Sequence, residues 1–299
     1  MVEKISGITQ LVVYGANGWL GRSTVEAILK IVPEILSEKI LLIGSKTAEI
    51  QISGRHFEIL DPILGEAHIK NGAVFINCAF LRREFIKRIG ESEFTARNLE
   101  IMALPTRALR KAKLSSFVNL SSGAAALVDQ NSNESPVDAY SILKRRSEID
   151  FGQEAKKVGT NFINCRIYSV SGYYLNEFEN LALSAFISQA LKDDHIRVNS
   201  PHSMRTYIDG VDLMIVILNL AMQGKSLNFD SGGTLISILD LAETVNKVVG
   251  QVNMNISVGF DAENSYYGDY EGFNRIATSM KHNLLSIEDQ IANTIKAFA

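Results

Sequence analysis

The chain has 299 residues, 46% hydrophobic and 21% charged, with a formal net charge of -3. That is enough chain for one large domain and a smaller appendage, and a near-neutral charge without a basic stripe excludes an electrostatic footprint for nucleic acid or an anionic membrane surface. The N-terminal MVEKISGITQ has no apolar signal core, and the longest apolar run, LMIVILNLAM at 213–222, falls short of the roughly 20 residues that span a bilayer, so small-molecule partners and a cytoplasmic location are expected.

In chain order, the first candidate strand is QLVVYG (10–15), followed by NGWLG and the helical pattern RSTVEAILKI, which Pro33 closes. Gly15, Gly18 and Gly21 stand as G-x-x-G-x-x-G between strand and helix. A tight turn there lets the backbone approach a ligand, and the unpaired N–H groups and positive end of the helix point at the same spot. A dinucleotide diphosphate is the expected occupant; a purely structural turn would not need all three glycines. The second strand, KILLIG (39–44), leads into Ser45 and Lys46, where an NAD site usually has a carboxylate for the ribose 2′-hydroxyl. With Arg22 after the last glycine, these residues suit a 2′-phosphate, so NADP(H) is expected, with NAD as the alternative.

The third strand, HFEIL (56–60), ends at Asp61, placed either to meet the adenine edge or to form a turn before Pro62. AVFINCA (73–79) and SFVNLS (116–121) flank a long helical segment, ESEFTARNLEIMALPTRALRKAK, with Pro105 inside it. The two cysteines, Cys78 and Cys165, lie within apolar runs and read as packed thiols in a reducing compartment, and five scattered histidines show no metal-ligand spacing. The strand 116–121 runs into Ser121 and Ser122. AYSILKRRSEIDFGQEAKKVG then reads as a helix ending at Gly159, and FINCRIYS (162–169) as the sixth strand. Tyr140 and Lys144, four apart, share one helix face, where the ammonium favours the phenolate and makes the phenol a usable proton donor. Ser122 is the group expected to hydrogen-bond the same substrate oxygen. Doubly apolar strands alternating with helices predict an α/β fold, a doubly wound parallel sheet over residues 1–171. Residues 172–299, with ENLALSAFISQALKD and LISILDLAETVNKVVG, read as a smaller substrate-binding lobe, interleaved with the sheet and not independent.

These residues resemble the extended short-chain dehydrogenase/reductases, the nucleotide-sugar epimerase, dehydratase and ketoreductase branch. The resemblance rests on GANGWLG, NLSSGA, YSILK, CRIYSVSG, ENL at 179–181 and MRTYIDGVDL at 204–213. It implies Ser122, Tyr140 and Lys144 as the catalytic triad. It places Asn17, Trp19, Leu20, Cys78, Ala79, Tyr168 and Ser169 along the cofactor, with the segment through Ser171 beside the nicotinamide. It assigns Asn180 and Arg205 to the substrate's diphosphate, puts Asn98 near the active-site backbone, and implies a homodimer built on the Pro105 and Tyr140 helices. Gly123 and Ala124 stand where dehydratases carry an Asp-Glu pair, which argues against dehydration, and AAALVDQNSNESPVDA departs from the family after the serines. The expected activity is reduction of a keto group on a nucleotide-linked deoxy-sugar by NADPH. An NAD-dependent epimerase is the alternative, and a non-catalytic dinucleotide sensor a further one that the retained Tyr/Lys pair disfavours.

Overall fold

In a computed structural model, residues 8–129, 137–175, 181–192, 195–250, 255–258 and 264–298 are described. The chain divides into two compact units, residues 1–166 with 214–229, and residues 167–213 with 230–299.

The first unit follows the expected alternation. Its elements are β1 (Leu11–Tyr14), α1 (Trp19–Ile31), β2 (Ile40–Ile43), β3 (Ala48–Ile52), β4 (Arg55–Leu60), α2 (Pro62–Ala67), β5 (Val74–Asn77), α3 (Phe85–Ile89), α4 (Glu91–Lys111), β6 (Ser116–Ser122), α5 (Ala124–Asp129), α6 (Ala139–Val158) and β7 (Asn161–Ile167). An eight-stranded sheet has the order β11-β7-β6-β5-β1-β2-β4-β3, where β11 is Leu227–Asp230. The pairs β1–β2, β1–β5, β2–β4 and β5–β6 are parallel. Every residue of β1, β2, β5 and β6 is buried, the burial that unalternating apolar runs imply.

Two strands of this sheet escaped the sequence reading, β3 and the edge strand β11. β3 pairs antiparallel with β4 through a two-residue turn at Ser53 and Gly54, both at positive φ, the backbone twist that a tight hairpin requires. Its pattern alternates, Ile50 and Ile52 inward and Glu49 and Gln51 outward, because it covers the sheet edge from one side only.

Successive inward residues of β6 meet α6 in register. Phe117 packs on Phe151 with ring centroids 5.2 Å apart, Asn119 Nδ2 donates to Ser147 Oγ at 3.4 Å, and Ser121 Oγ donates to Glu148 at 2.6 Å. The strand period of two and the helix spacing of three to four thus align one face of α6 along β6. Phe117 also stacks on Phe75 of β5 at 5.4 Å, so one aromatic column joins two strands and the helix that carries Tyr140.

The second unit holds β8 (Ser169–Ser171), α7 (Ala182–Lys192), β9 (His195–Val198), β10 (Met204–Asp209), β12 (Thr234–Ser237), α9 (Ile238–Val249), β13 (Asn255–Val258), α10 (Tyr270–Ser279) and α11 (Ile287–Ile295); α8 (Gly210–Met222) spans the boundary. β10 pairs parallel with β8 and antiparallel with β12, and β9 pairs parallel with β13. Phe186 and Ile187 of α7, Leu241 and Val245 of α9 and Ile291 of α11 form its core. Among the described residues no helix is long and apolar enough to cross a membrane.

Candidate active site

The glycine turn is built by contact. Gly15 has φ +89°, and a Cβ there would lie 2.7 Å from the amide nitrogen of Ala79. A Cβ on Gly21 would strike the carbonyl oxygen of Gly15, so the first turn of α1 lies directly on the β1 exit. Gly18 caps α1 without a side-chain hydrogen bond. The first N–H groups of α1 are therefore available to an anion. Asn17 Oδ1 is buried without a hydrogen-bond partner, packed against Gly44 at the end of β2. Such an orphaned acceptor suits a ligand that brings a donor. Together the close backbone, the uncapped helix start and the orphaned acceptor fit a dinucleotide. Trp19 and Leu20 are half-buried in the first turn of α1, and Arg22 points outward.

At the end of β2, Ser45 and Lys46 are exposed, and no carboxylate precedes β3. Asp61 caps α2, its Oδ1 accepting the amides of Ile63 and Leu64 at 2.9 and 3.1 Å, so the chain uses it to start a helix behind Pro62.

Residues 78–80 connect the glycine turn to the pair Tyr140 and Lys144. Cys78 and Ala79 lie against Gly15. Thr24 and Cys78 Sγ are 3.5 Å apart, and burial pushes the thiol up to about 12. Next in sequence, Phe80 meets Tyr140 edge-on at 5.7 Å, and Lys144 Nζ stands 4.0 Å above its ring centroid. Lys144 is buried, and its Nζ donates to the Leu120 carbonyl at 2.9 Å. Desolvation pulls its ammonium down to about 7, opposed by the nearby Cys78 and Glu148. Tyr140 and Lys144 are thus brought together on one face of α6, beside the wall on which the glycine turn rests. Ser122 ends the strand that holds Lys144, and its Oγ accepts the Ala124 amide at 3.2 Å.

Two features had no counterpart in the sequence reading. Arg83 lies over the ring of Tyr140, 5.3 Å from its centroid. Buried Glu148, one turn beyond Lys144, binds Arg166 of β7 through two hydrogen bonds of 2.9 and 2.8 Å, and Arg145 at 3.2 Å. Burial draws the Glu148 carboxyl upward, but the bonds from Arg166 and Ser121 hold it below the usual carboxylate range. The i,i+4 spacing to Lys144 was the available signal for Glu148; the LRRE stretch carries none for Arg83.

Asn98 is fully buried; its Oδ1 accepts the Leu81 amide at 2.8 Å and its Nδ2 donates to the Phe94 carbonyl at 3.0 Å, so it shapes the segment after Phe80. Tyr168, Ser169 and Arg205 belong to the second unit. Tyr168 packs on Tyr266 at 4.8 Å, Ser169 opens β8, and Arg205 Nη1 donates to the carbonyls of Met204 and Asn264. Asn180 and most of the polar stretch after the serines lie outside the described residues.

A family model described as NAD dependent epimerase/dehydratase family matches residues 11–228. No curated protein sequence matches the chain. Among solved structures, the UDP-N-acetylglucosamine 4-epimerase of Methanobrevibacter ruminantium M1 in complex with UDP-N-acetylmuramic acid is similar at TM-score 0.76 and 17% identity, over 97% of this chain and 98% of that one. The dTDP-glucose 4,6-dehydratase of Streptomyces venezuelae with NAD bound gives 0.72 and 16%, over 97% and 96%. UDP-glucose 4-epimerase from Bifidobacterium longum, in complex with NAD+ and UDP, gives 0.71 and 16%, over 97% and 98%. At these identities the likeness is one of fold.

Proposed function

The chain belongs to the NAD dependent epimerase/dehydratase family, and from that premise we propose that it reduces a keto group on a nucleotide-linked sugar with NADPH. The observation that carries the reading is the pairing of Tyr140 with buried Lys144 beside the Gly15 turn. When bound, the dinucleotide would supply the hydride.

The residues divide the remaining work. The backbone at Gly15, Gly18 and Gly21 and the first turn of α1, with Asn17, Trp19 and Leu20, would hold the diphosphate. Ser45, Lys46 and Arg22 would take the 2′-phosphate, and Cys78 and Ala79 would line the wall of the turn. Asp61 retains an expected place near the adenine alongside its capping role. Tyr140 would protonate the developing alkoxide, Lys144 would favour the phenolate that proton loss leaves, and Ser122 would orient the carbonyl. On the family resemblance, Tyr168 and Ser169 are proposed as cofactor contacts and Asn180 and Arg205 as diphosphate ligands of the substrate. A homodimer through α4 and α6 is also proposed, since Ile142 and Ile149 stand exposed one heptad apart on α6.

Titration of the purified protein with NADPH and NADH, followed by nicotinamide fluorescence, tests the reading. A preference for NADPH of tenfold or more, about 1.4 kcal/mol, is expected. Equal or tighter binding of NADH, or purification with NAD already bound, would overturn it in favour of a nucleotide-sugar epimerase. That second reading draws support from the NAD-bound epimerases of similar fold.

A further inference from the structure

We propose that Arg83 is a positioning residue for Tyr140, a second cation that holds the phenol ring and favours its ionised form, with Asp138 as the counter-charge that limits the effect. The inference rests on the reading of Tyr140 as the proton donor. The guanidinium carbon of Arg83 sits 5.3 Å from the centroid of the Tyr140 ring, within the range where a cation is attracted to the aromatic face. The group is fixed there. Its Nε lies 2.8 Å from Asp138 Oδ2, and its Nη2 donates to Ser141 Oγ at 3.1 Å. Asp138 in turn caps α6, accepting the Ser141 amide at 2.9 Å and the Ser141 hydroxyl at 2.8 Å. One clamp therefore ties the segment after β5 to the start of the helix on which Tyr140 is the second residue.

The surroundings make the charge matter. Phe80 closes one edge of the ring. The apolar cluster that Tyr140 joins receives Phe85, Ile86 and Ile89 from α3 and Phe94 and Leu99 from α4, and two further cations, Arg82 and Arg88, lie over the Phe85 ring of that cluster at 5.9 and 5.0 Å. Among the described residues, the charged groups that approach the phenol include Arg83, paired with Asp138 at the helix start, and Lys144, whose Nζ is 5.9 Å from the ring centroid; Cys78 and Glu148 in turn act on Lys144. Lys144 is pulled toward neutrality by its burial. A guanidinium keeps its charge at any pH the protein survives, so it supplies the cation that Lys144 loses as pH rises.

The test reads the phenol itself, in protein without cofactor or substrate. Tyrosine labelled with carbon-13 at Cζ is titrated by NMR, the Tyr140 signal being assigned from its loss in Tyr140→Phe. Arg83→Met keeps an apolar stem and removes the charge, and should raise the Tyr140 midpoint by about half a pH unit or more. Arg83→Lys should recover most of that shift. Asp138→Asn retains a capping side chain and removes the counter-charge, so it should leave the midpoint unchanged or lower it. A clamp that only holds the backbone would move Arg83→Met and Asp138→Asn in the same direction. That result, or an unmoved midpoint in Arg83→Met, overturns the proposal. Absence of turnover with every nucleotide sugar would defeat the functional reading and leave this titration standing.

Discussion

Lys144 carries the clearest pH signature of any residue near the site. Its ammonium is pulled from 10.5 to about 7 by desolvation. Between those values the unfolded chain binds the extra proton and the folded chain does not, so folding stability rises with pH across the window, by up to about 1.4 kcal/mol per unit. Lys144→Met should flatten that slope in denaturant titrations at pH 7 and 9. Where the positive form is needed for catalysis, turnover should fall as pH rises past about 7. A second expectation concerns the turn. Gly21→Ala puts a methyl against the Gly15 carbonyl and should weaken dinucleotide binding at least tenfold by fluorescence titration, while Gly54→Ala, whose added Cβ would meet no neighbour though its φ of +76° strains the hairpin, should leave binding unchanged. Gly21 was legible because its reason is local. The partners of Lys144 were not, since Leu120 and Phe80 lie far away in sequence and no spacing announces them.

The helix that carries Tyr140 and Lys144 is held at the level of whole elements by two devices, an aromatic column and a buried ion pair. Glu148 joins α6 to β6 through Ser121 and to β7 through Arg166, which also reaches Asp129 of α5 at 2.9 Å. Removing one member of such a pair strands the other charges. Glu148→Gln should destabilise the protein by about 3 kcal/mol, whereas Arg146→Ala, which breaks an exposed i,i+4 pair with Asp150, should change it by less than about 1 kcal/mol. Chemical denaturation of both variants checks the contrast. The sequence reading located all six of its strands and the three long helices of the first unit within a few residues. It passed over β3 and β11, because short, partly exposed strands at the two sheet edges give little apolar signal and the Ser53–Gly54 turn resembles any loop.

At the scale of the molecule, the first unit is not continuous in the chain. Residues 214–229 return to it, adding β11 beside β7, and Ser116 Oγ of β6 donates to the Ala221 carbonyl at 2.8 Å. A fragment ending at Arg166 would leave β7 as an open edge and Ser116 without that partner, so it should aggregate or melt well below the full chain in calorimetry. The sequence by itself determined the glycine turn, the alternation of buried strands and helices, the Tyr140–Lys144 spacing and the family resemblance. All of these are written in residues close together in the chain, where steric and periodic rules act. Only the tertiary structure decided that Arg83 lies on Tyr140, that Lys144 loses its solvent against Leu120 and Phe80, and that residues 214–229 complete the first sheet. Burial and electrostatic field are sums over neighbours brought from distant parts of the chain, and no local pattern encodes them.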